Sequence, residues 1–569
     1  MMRRLPIAIA LGSVATGLLL FAALPLLLVL ARALGLPAAP SLEILAGAFA
    51  EEASRTAFLN TALISTLVAL FAIAVGVPVA FLLARFELPR ARTMRTLLTL
   101  PAVVPPYLLG IAWIDLANPS TGLLNQLARA LGASGPVLDC YTPLGIVWVL
   151  GLSFYPLLML PVLNALERMD ASLEESARIS GASPARLLFE ITLPLVAPAI
   201  ASGAVLVFLA TAATFGVPYL LGTAGQRRIE LLTTAIANHI TVGGEAELGK
   251  AMAISLALLA LSAAVAVIGE LASRGERKFA IVSGKGGRAR PVRVSRATQR
   301  GMTAGLALVI AVAVVLPMVT LLWVSLLKTW GGGFGPSNWS LDSYRRVLLE
   351  NHDTAPAVIR SLVLATTAAS IAVAAGALVA YARNRRPSAA TRALESLSTL
   401  PYAVPGTVLA LGLLLAWSRE VRVIVLEHAT FALDLFAGPF ALLIAYAVKY
   451  LAFGVRLSGT ALVQIDPALE EAARTAGATR ARAAIDVIVP LLLPALGAAW
   501  LLVFLPVLSE ITMSILLVGP GTTVVGTVLF ELQSYADPPS AAVLACLLLF
   551  LTLSGNEILR RSTGGRGGF

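Results

Sequence analysis

Long apolar runs separated by short polar segments dominate the sequence. A helix needs roughly 20 mostly apolar residues to cross about 30 Å of hydrocarbon, and twelve runs reach that length. They cover approximately residues 5–31, 58–84, 96–117, 143–166, 194–222, 248–272, 302–327, 357–382, 395–418, 438–464, 490–519 and 540–559. The pattern therefore predicts an all-α membrane protein with about twelve transmembrane helices, which we number spans one to twelve.

The composition excludes a soluble multidomain protein of this length. Of the 569 residues, 58% are apolar and 13% are charged, and the mean hydropathy is +0.87. Soluble proteins contain about 45–50% apolar and about 25% charged residues. The two cysteines, Cys140 and Cys546, are too few for a disulfide framework or a cysteine-based metal site, and we predict that the chain binds no metal.

The basic residues predict the orientation. The net charge is +11, with 42 Lys and Arg against 31 Asp and Glu. If the N-terminus lies inside, the inner segments hold 29 of the 42 basic residues, which agrees with the enrichment of Lys and Arg in cytoplasmic loops. The sequence therefore predicts a multi-pass membrane protein with both termini in the cytoplasm. The charge is explained by the bilayer, and no nucleic-acid partner is expected.

The chain repeats itself at an offset near 300. Leu100-Pro101-x-x-Val104-Pro105 recurs as Leu400-Pro401-x-x-Val404-Pro405, and Gly76 recurs as Gly376. Each copy contains six spans, so both copies face the same way, as in a parallel duplication. We predict a first half over residues 1–272 and a second over 301–569. Residues 273–300 carry nine basic residues and several glycines, and are predicted to form a flexible cytoplasmic linker.

Two polar segments, one between the fourth and fifth spans of each half, share a pattern of helix caps and turns. In the second copy, Asp466 suits an N-cap and Pro467 suits the first helical position. Gly181 and Gly477 suit the left-handed residue that ends a helix, while Ser183 and Thr479 can cap the next helix. Each segment is predicted to be a short helix, a turn and a second short helix, which we call an elbow.

The elbows resemble the cytoplasmic signature of binding-protein-dependent ABC importer permeases. That signature reads Glu-Ala-Ala, three residues, Gly, nine residues, an apolar residue, one residue, and an apolar-Pro pair. The second copy, Glu471-Ala472-Ala473, matches it, whereas the first copy reads Glu175-Ser176-Ala177. Two copies in one twelve-span chain are most similar to fused permeases of the ferric-iron type, with thiamine permeases next. The resemblance covers about residues 57–270 and 357–557. It implies two type-1 transmembrane domains with the ABC type-1 importer permease fold, in the inner membrane of a bacterial cell.

The resemblance implies partners and site residues. Each elbow would dock on a separate ATPase subunit, so two ATPase copies and an external solute-binding protein are expected. The residues implied in ATPase coupling are Glu175, Ala177, Gly181, Pro194, Glu471, Ala472, Ala473, Gly477 and Pro490. The chain has no Gly-x-x-x-x-Gly-Lys-Ser/Thr run, so we predict no enzyme activity and no bound cofactor; its partners would use the ATP.

Charged residues inside the spans suggest a translocation path, because they are costly in hydrocarbon. Glu510 lies deep in span eleven, its repeat partner at an offset of 296 is Thr214, and Lys449 in span ten is a candidate counter-charge. A structural ion pair that fixes helix packing explains Glu510 and Lys449 equally well.

The sequence leaves the transported solute open. Ferric iron is the leading hypothesis from the fused architecture, and thiamine or polyamines are alternatives. A secondary transporter driven by an ion gradient would also show repeats and buried charges, although it would not need paired elbows. A membrane enzyme is disfavoured, because no His–acid or Cys–His grouping occurs within a predicted helix.

Overall fold

The computed structural model is of the full chain. It describes residues 5–36, 41–169, 176–177, 179–225, 228–273, 291–332, 335–418, 421–426, 429–433, 435–436, 438–534 and 537–562.

Apolar helices make up most of the described residues, and they match the twelve predicted runs in order. Ten are continuous and long enough to cross a membrane, and two more spans are bent helix pairs. The continuous spans are Ile9–Ala33, Glu52–Arg85, Pro143–Arg168, Ala185–Ala213, Glu245–Leu271, Arg296–Ser325, Thr354–Arg385, Phe440–Val463, Ala481–Leu508 and Pro538–Arg561. The predicted all-α membrane architecture is confirmed.

Spans three and nine are each broken by the repeated proline motif. Span three consists of Ala91–Ala102 and Pro106–Ala117, which meet at 93°, and span nine consists of Ala389–Ala403 and Gly406–Trp417, which meet at 110°. Proline lacks an N–H donor and disfavours helical geometry in the preceding residue. Pro105 and Pro405, with ψ of 129° and 139°, adopt extended geometry at the breaks.

Spans five and eleven end earlier than the hydrophobic pattern predicts. Their last helices stop at Ala213 and Leu508, and the shorter helices Gly216–Thr223 and Thr512–Leu517 follow each break. Each break contains only one or two polar residues, Thr214 in span five and Ser509-Glu510 in span eleven, so the average hydropathy of each run stays high across it. The predicted continuous runs 194–222 and 490–519 are therefore wrong in this respect.

Shorter elements connect the spans. A two-stranded antiparallel hairpin, Val421–Leu426 with Ala429–Leu433, lies in the segment between spans nine and ten and was not predicted. The remaining described helices outside the spans are Glu43–Ala50, Leu123–Ala130, Leu232–Val242, Pro336–Asn338, Asp342–Arg345, Arg346–Glu350, Pro467–Thr475 and Val525–Ser534. Pro184–Leu187 and Arg480–Ala483 begin the helices that lead into spans five and eleven, through the π-helical turns Leu188–Thr192 and Ala484–Ile488.

Contacts divide the chain into two compact units. One comprises the described residues within Met1–Ala50, Ile236–Leu256 and Ser340–Gly568. In this unit the Trp417 Nε1 donates to the Leu20 carbonyl at 3.3 Å, so span one packs against the second leg of span nine. The closest crossing joins spans eight and ten, where Gly376 and Gly454 face each other with no side chain between them.

The second unit comprises the described residues within Glu51–Ala235 and Ala257–Trp339. Here span seven packs against span three. The last part of the predicted linker is attached to this unit: Val292 N–H donates to the Arg85 carbonyl at 2.8 Å, and Arg293 pairs with Glu87 at 2.6 Å. Residues 274–290 lie outside the described residues, and the half boundaries at 272 and 301 stay a prediction.

Candidate coupling elbows and helix breaks

The second elbow begins with the predicted cap. Asp466 Oδ1 accepts a hydrogen bond from the Ala468 N–H at 2.9 Å, and Pro467 occupies the first turn of Pro467–Thr475. A carboxylate at this position satisfies an unpaired backbone donor and interacts favourably with the helix dipole. The cap predicted from sequence is confirmed.

Gly477 ends this helix in the left-handed conformation, with φ of +95°. The Ala478 N–H donates to the Ala473 carbonyl at 3.0 Å, closing the helix as a Schellman motif does. Thr479 Oγ1 then accepts from the Arg482 N–H at 3.2 Å and caps the second short helix. The predicted helix, turn and helix are all present.

The first elbow has the same turn. Gly181 has φ of +85°, and the Ala182 N–H donates to the Ala177 carbonyl at 2.9 Å. Ser183 Oγ accepts from the Arg186 N–H at 3.3 Å. Glu175 lies outside the described residues, so nothing is stated of its contacts, and its role stays a prediction.

The second elbow presents one face of its inner helix to solvent. Glu471 and Ala472 are exposed, whereas Ala473 is half-buried on the opposite side. Pro490 and its repeat partner Pro194 are exposed in the first turns of the helices that follow the elbows. The candidate coupling residues of this elbow thus do not all point the same way.

Glu470 is a residue that the sequence analysis missed. It precedes Glu471, but its side chain is only 12% exposed and pairs with Arg385 at the end of span eight. Two adjacent glutamates in one short helix look equivalent in sequence. The helical rotation of about 100° per residue places one against the protein and the other in solvent.

In the first half, two helix breaks meet near Thr214. This residue is half-buried and extended, with ψ of 133°, and its carbonyl accepts a hydrogen bond from Thr233 Oγ1 at 2.8 Å. Gly216, which begins the next helix, lies against the ring of Tyr107 at the start of the second leg of span three. The polar group predicted at this depth therefore lies at the break in span five.

In the second half, Glu510 caps a helix within the membrane region. Its Oε2 accepts hydrogen bonds from the backbone N–H groups of Met513 and Ser514 at 2.9 and 3.1 Å. These are unpaired donors at the N-terminus of Thr512–Leu517. Tyr446 hydroxyl lies 2.7 Å from Ser514 Oγ, which extends the polar contacts to span ten.

Lys449 caps the C-terminal end of a helix, whereas Glu510 caps an N-terminal end. Its Nζ donates to the carbonyls of Tyr402 and Val404, the first at 3.3 Å, where the first leg of span nine ends. A cation at a helix C-terminus satisfies free carbonyls and complements the dipole. Lys449 and Glu510 thus bond to backbone groups of two different helix ends rather than to each other, and the sequence hypothesis of a direct ion pair is not what the geometry shows.

Glu510→Gln is expected to keep most of the transport activity, because an amide oxygen can still accept from Met513 N–H and Ser514 N–H. Glu510→Ala removes the acceptor, and the loss of such a cap costs about 0.5–2 kcal/mol. Thermal unfolding in detergent and solute uptake should both rank wild type, Gln and then Ala. Loss of uptake in the Gln variant at unchanged stability would show that the negative charge itself is required.

Asp115 is a second residue that the sequence analysis missed. It lies in the second leg of span three, is fully buried, and neither of its carboxylate oxygens has a hydrogen-bond partner in the described structure.

The Cys140 thiol is protonated. Burial raises the pKa of this thiol to about 12, with a smaller contribution from Asp139.

We expect Asp115→Leu to stabilise the protein by about 1–3 kcal/mol, since it removes an unpaired buried polar group and keeps the branching at Cγ. Asn125 is the matched contrast: it is also fully buried, but it makes four hydrogen bonds to the backbone of Asn118, Val137 and Leu138. Asn125→Leu should lower the thermal midpoint strongly. A lower midpoint in Asp115→Leu would indicate a partner for the carboxyl in the membrane.

Among the described residues, no group of three or more His, Cys, Asp or Glu side chains is arranged to hold a metal ion. His239 is half-buried and lies 2.6 Å from Glu247, while Lys250 contacts the other oxygen of that carboxylate at 2.8 Å. His428 lies outside the part of the chain that the structure describes. The chemistry available at the elbows and breaks is therefore hydrogen bonding and ion pairing.

Known proteins similar to this chain are membrane subunits of transport systems. The Fe(3+)-transport system permease protein FbpB 2 of Haemophilus influenzae is 26% identical over 496 residues, which is 87% of each chain. A putative ferric transport system permease protein, FbpB 1, of the same organism is 25% identical, and the match covers 75% of this chain and 64% of the relative. The molybdenum transport system permease protein ModB of Escherichia coli is 31% identical over 202 residues, 35% of this chain and 86% of the relative.

A solved structure, a bacterial alginate ABC transporter in complex with alginate pentasaccharide-bound periplasmic protein, matches 48% of this chain and 96% of its own, with 16% identity and a TM-score of 0.37. The family described as binding-protein-dependent transport system inner membrane component matches residues 72–278 and 372–561. Because these two matches together cover more than half of the sequence, the chain belongs to this family of ABC importer permease subunits and contains two copies of the family's domain in one polypeptide.

Proposed function

We propose that this chain forms the transmembrane pathway of a ferric-iron importer powered by two separate ATPase subunits. The observation that carries the proposal is the pair of elbows. Both have a left-handed glycine at the same position, with φ of +85° and +95°, and the same cap on the second helix. A repeated, solvent-exposed turn of this kind suits a docking surface for two copies of one partner.

Each elbow would insert into one ATPase subunit. In the second, Glu471 and Ala472 would face the ATPase, and Gly477 would hold the turn that aims the helix outward. In the first, Glu175 and Ala177 would take the corresponding roles. Both chain termini would lie in the cytoplasm, and an external binding protein would deliver the solute to the opposite side of the membrane.

The choice of ferric iron rests on the relatives whose matches extend across both halves. Three relatives whose matches cover 75–87% of this chain carry ferric transport names, whereas the molybdenum permeases match only about a third of it. Thr214, Glu510, Lys449 and their neighbours at the helix breaks are the candidate pathway residues. They supply hydroxyl, carboxylate and backbone groups rather than a metal-binding set, which suits passage of a solute better than its storage.

Mild purification of the tagged chain from its native host tests the partner assignment. We expect an ATPase subunit to co-purify at two copies per chain. In Glu471→Lys the copy at the second elbow should be lost, while the chain itself remains monodisperse. Recovery of the chain without any ATPase, in several mild detergents, would contradict the proposal. Uptake that follows an ion gradient and survives ATP depletion would then favour the secondary transporter.

Solute identity requires a separate measurement. Cells that lack the chain and cells that express it should be compared for uptake of radiolabelled ferric iron, molybdate, thiamine and a polyamine. We expect an ATP-dependent difference for ferric iron. A difference for molybdate alone would keep the importer assignment but replace the solute, since iron is a cation complex and molybdate an oxyanion.

A further inference from the structure

The inner helix of the second elbow, Pro467–Thr475, contacts span eight through the buried side chain of Glu470. Glu470 Oε2 lies 3.2 Å from Arg385 Nε, and the two side chains are 12% and 13% exposed. Glu470 Oε1 accepts a hydrogen bond from the Tyr381 hydroxyl at 2.8 Å. We call these three residues the elbow clamp. The contact is an ion pair without a hydrogen bond from the Arg385 Nε, and because it is shielded from water its electrostatic attraction is stronger than that of a surface pair.

An apolar cluster lies beside the clamp and joins both ends of the elbow to span eight. Its buried members come from span eight, the end of span ten and the start of span eleven: Ala380, Leu462, Ile488 and Leu492. Tyr381 packs against this cluster with its ring and reaches Glu470 with its hydroxyl. A displacement of the elbow is therefore applied to the end of span eight.

Span eight is built to move as one body. It is a continuous helix of 32 residues, Thr354–Arg385, which corresponds to about 48 Å at 1.5 Å per residue. At its crossing with span ten, a Cβ added to Gly376 would lie 2.6 Å from the backbone of Gly454 and Val455. The backbones of spans eight and ten are therefore in close contact at this crossing. Because span eight is one unbroken helix, a displacement at Arg385 is transmitted to its far end.

The far end of span eight holds the segment that follows the helix capped by Glu510. Arg360 Nη1 donates to the carbonyl and to the hydroxyl of Thr523, the latter at 3.2 Å. The Val525 N–H donates to Ser361 Oγ at 2.9 Å. One continuous helix thus contacts the elbow at one end and the segment after the Glu510-capped helix at the other.

The first half repeats the far contact with different side chains. Asn60 Nδ2 donates to the Glu230 carbonyl at 3.0 Å, and the Leu232 N–H donates to Thr61 Oγ1 at 2.8 Å. Asn60 and Thr61 precede Arg360 and Ser361 by the repeat offset of 300. The contact persists although the residues differ, as expected of an arrangement that the architecture needs in both halves.

We propose that Glu470 and Arg385 are positioning residues that pass the displacement of the second elbow to span eight, and through Arg360 and Ser361 to the segment after the Glu510-capped helix. This inference rests on the proposed function, because it takes the ATPase as the source of the displacement. Glu471 binds the ATPase from the outer face of the elbow helix, while Glu470, one residue earlier, connects the same helix to the pathway.

The test compares Glu470→Gln with Glu471→Gln in proteoliposomes that contain the chain, its ATPase and its binding protein. In Glu470→Gln we expect ATPase co-purification and basal ATP hydrolysis at wild-type levels, a loss of stimulation by the binding protein, and about 10-fold lower uptake of radiolabelled ferric iron. In Glu471→Gln we expect weaker ATPase co-purification. Arg385→Gln should behave as Glu470→Gln does, and the double variant should be no worse than either single one.

Tyr381→Phe is the graded control, because its repeat partner is Phe81 and the ion pair remains. It should lower uptake less than Glu470→Gln. Wild-type stimulation and uptake in Glu470→Gln would overturn the proposal. So would a loss of ATPase binding in Glu470→Gln as large as in Glu471→Gln, since the residue would then belong to the docking surface.

A second readout needs no partner. In the purified chain alone, amide hydrogen exchange over residues 468–475 should be about 10-fold faster in Glu470→Gln than in Glu471→Gln, because only the first variant frees the helix from span eight. Equal exchange in the two variants would overturn the clamp even if the ATPase assignment holds. Faster exchange in Glu470→Gln than in Glu471→Gln, together with a wild-type chain that co-purifies with no ATPase, would overturn the proposed function and leave the clamp standing.

Discussion

Gly477→Val should abolish solute uptake while leaving the chain in the membrane. Gly477 has φ of +95°, and a Cβ added there would meet no atom within 4 Å. The cost is therefore one of backbone conformation: the left-handed region costs about 1–2 kcal/mol for an L-residue and more for a β-branched one. The turn is expected to open, so that the inner helix loses the orientation that we propose for ATPase docking. Uptake per expressed chain should fall at least about 10-fold.

The controls separate backbone strain from other effects of a larger side chain. Gly477→Asn should retain much of the activity, since Asn tolerates positive φ. Gly497→Ala, at an exposed helical position with no atom within 4 Å, should be neutral or stabilising by up to about 1 kcal/mol. Normal uptake in Gly477→Val at wild-type expression would refute the role given to the elbow.

Gly454→Val should prevent recovery of a folded chain. A Cβ at this position would lie 2.5 Å from the Ala372 carbonyl oxygen and 3.0 Å from the Val373 Cα. Backbone atoms of a packed helix cannot move aside as a flexible side chain can, so spans eight and ten would have to separate. Overpacking in a core costs about 1–3 kcal/mol, and more where relaxation is blocked. We expect aggregation during size-exclusion chromatography in detergent.

The repeat offers graded comparisons for the same measurement. Gly376→Ala would place its Cβ 2.6 Å from backbone atoms, whereas at Gly76 the nearest atom is the Leu158 Cδ2 at 3.1 Å. Gly459, on the same helix as Gly454, has its nearest neighbour at 3.9 Å. Thermal midpoints should therefore decrease in the order Gly459→Ala, Gly76→Ala, Gly376→Ala. A midpoint for Gly376→Ala equal to that of Gly459→Ala would show that the helices can separate at little cost.

The number and order of the spans could be predicted from sequence because hydrocarbon imposes a simple requirement on length and composition. The elbows were also predictable, since caps and left-handed glycines depend on neighbours within a few residues. Gly477 and Asp466 adopt the conformations expected of them. The repeat of Gly76 and Gly376 was visible too, although its cause, a close helix crossing in the second half, was not.

The tertiary structure decided what hydropathy cannot express. Spans five and eleven break inside runs whose average hydropathy stays high, and only the fold shows that Glu510 caps the helix after one break and Lys449 the end of another. Glu470 and Glu471 are the same residue in adjacent positions, so composition cannot separate the anchored one from the exposed one. Sequence patterns determine which segments are helical and where they enter the membrane, because those properties are local. The partners of buried polar groups can lie 171 positions apart, as Thr61 and Leu232 do, and only the packing of the spans brings such residues together.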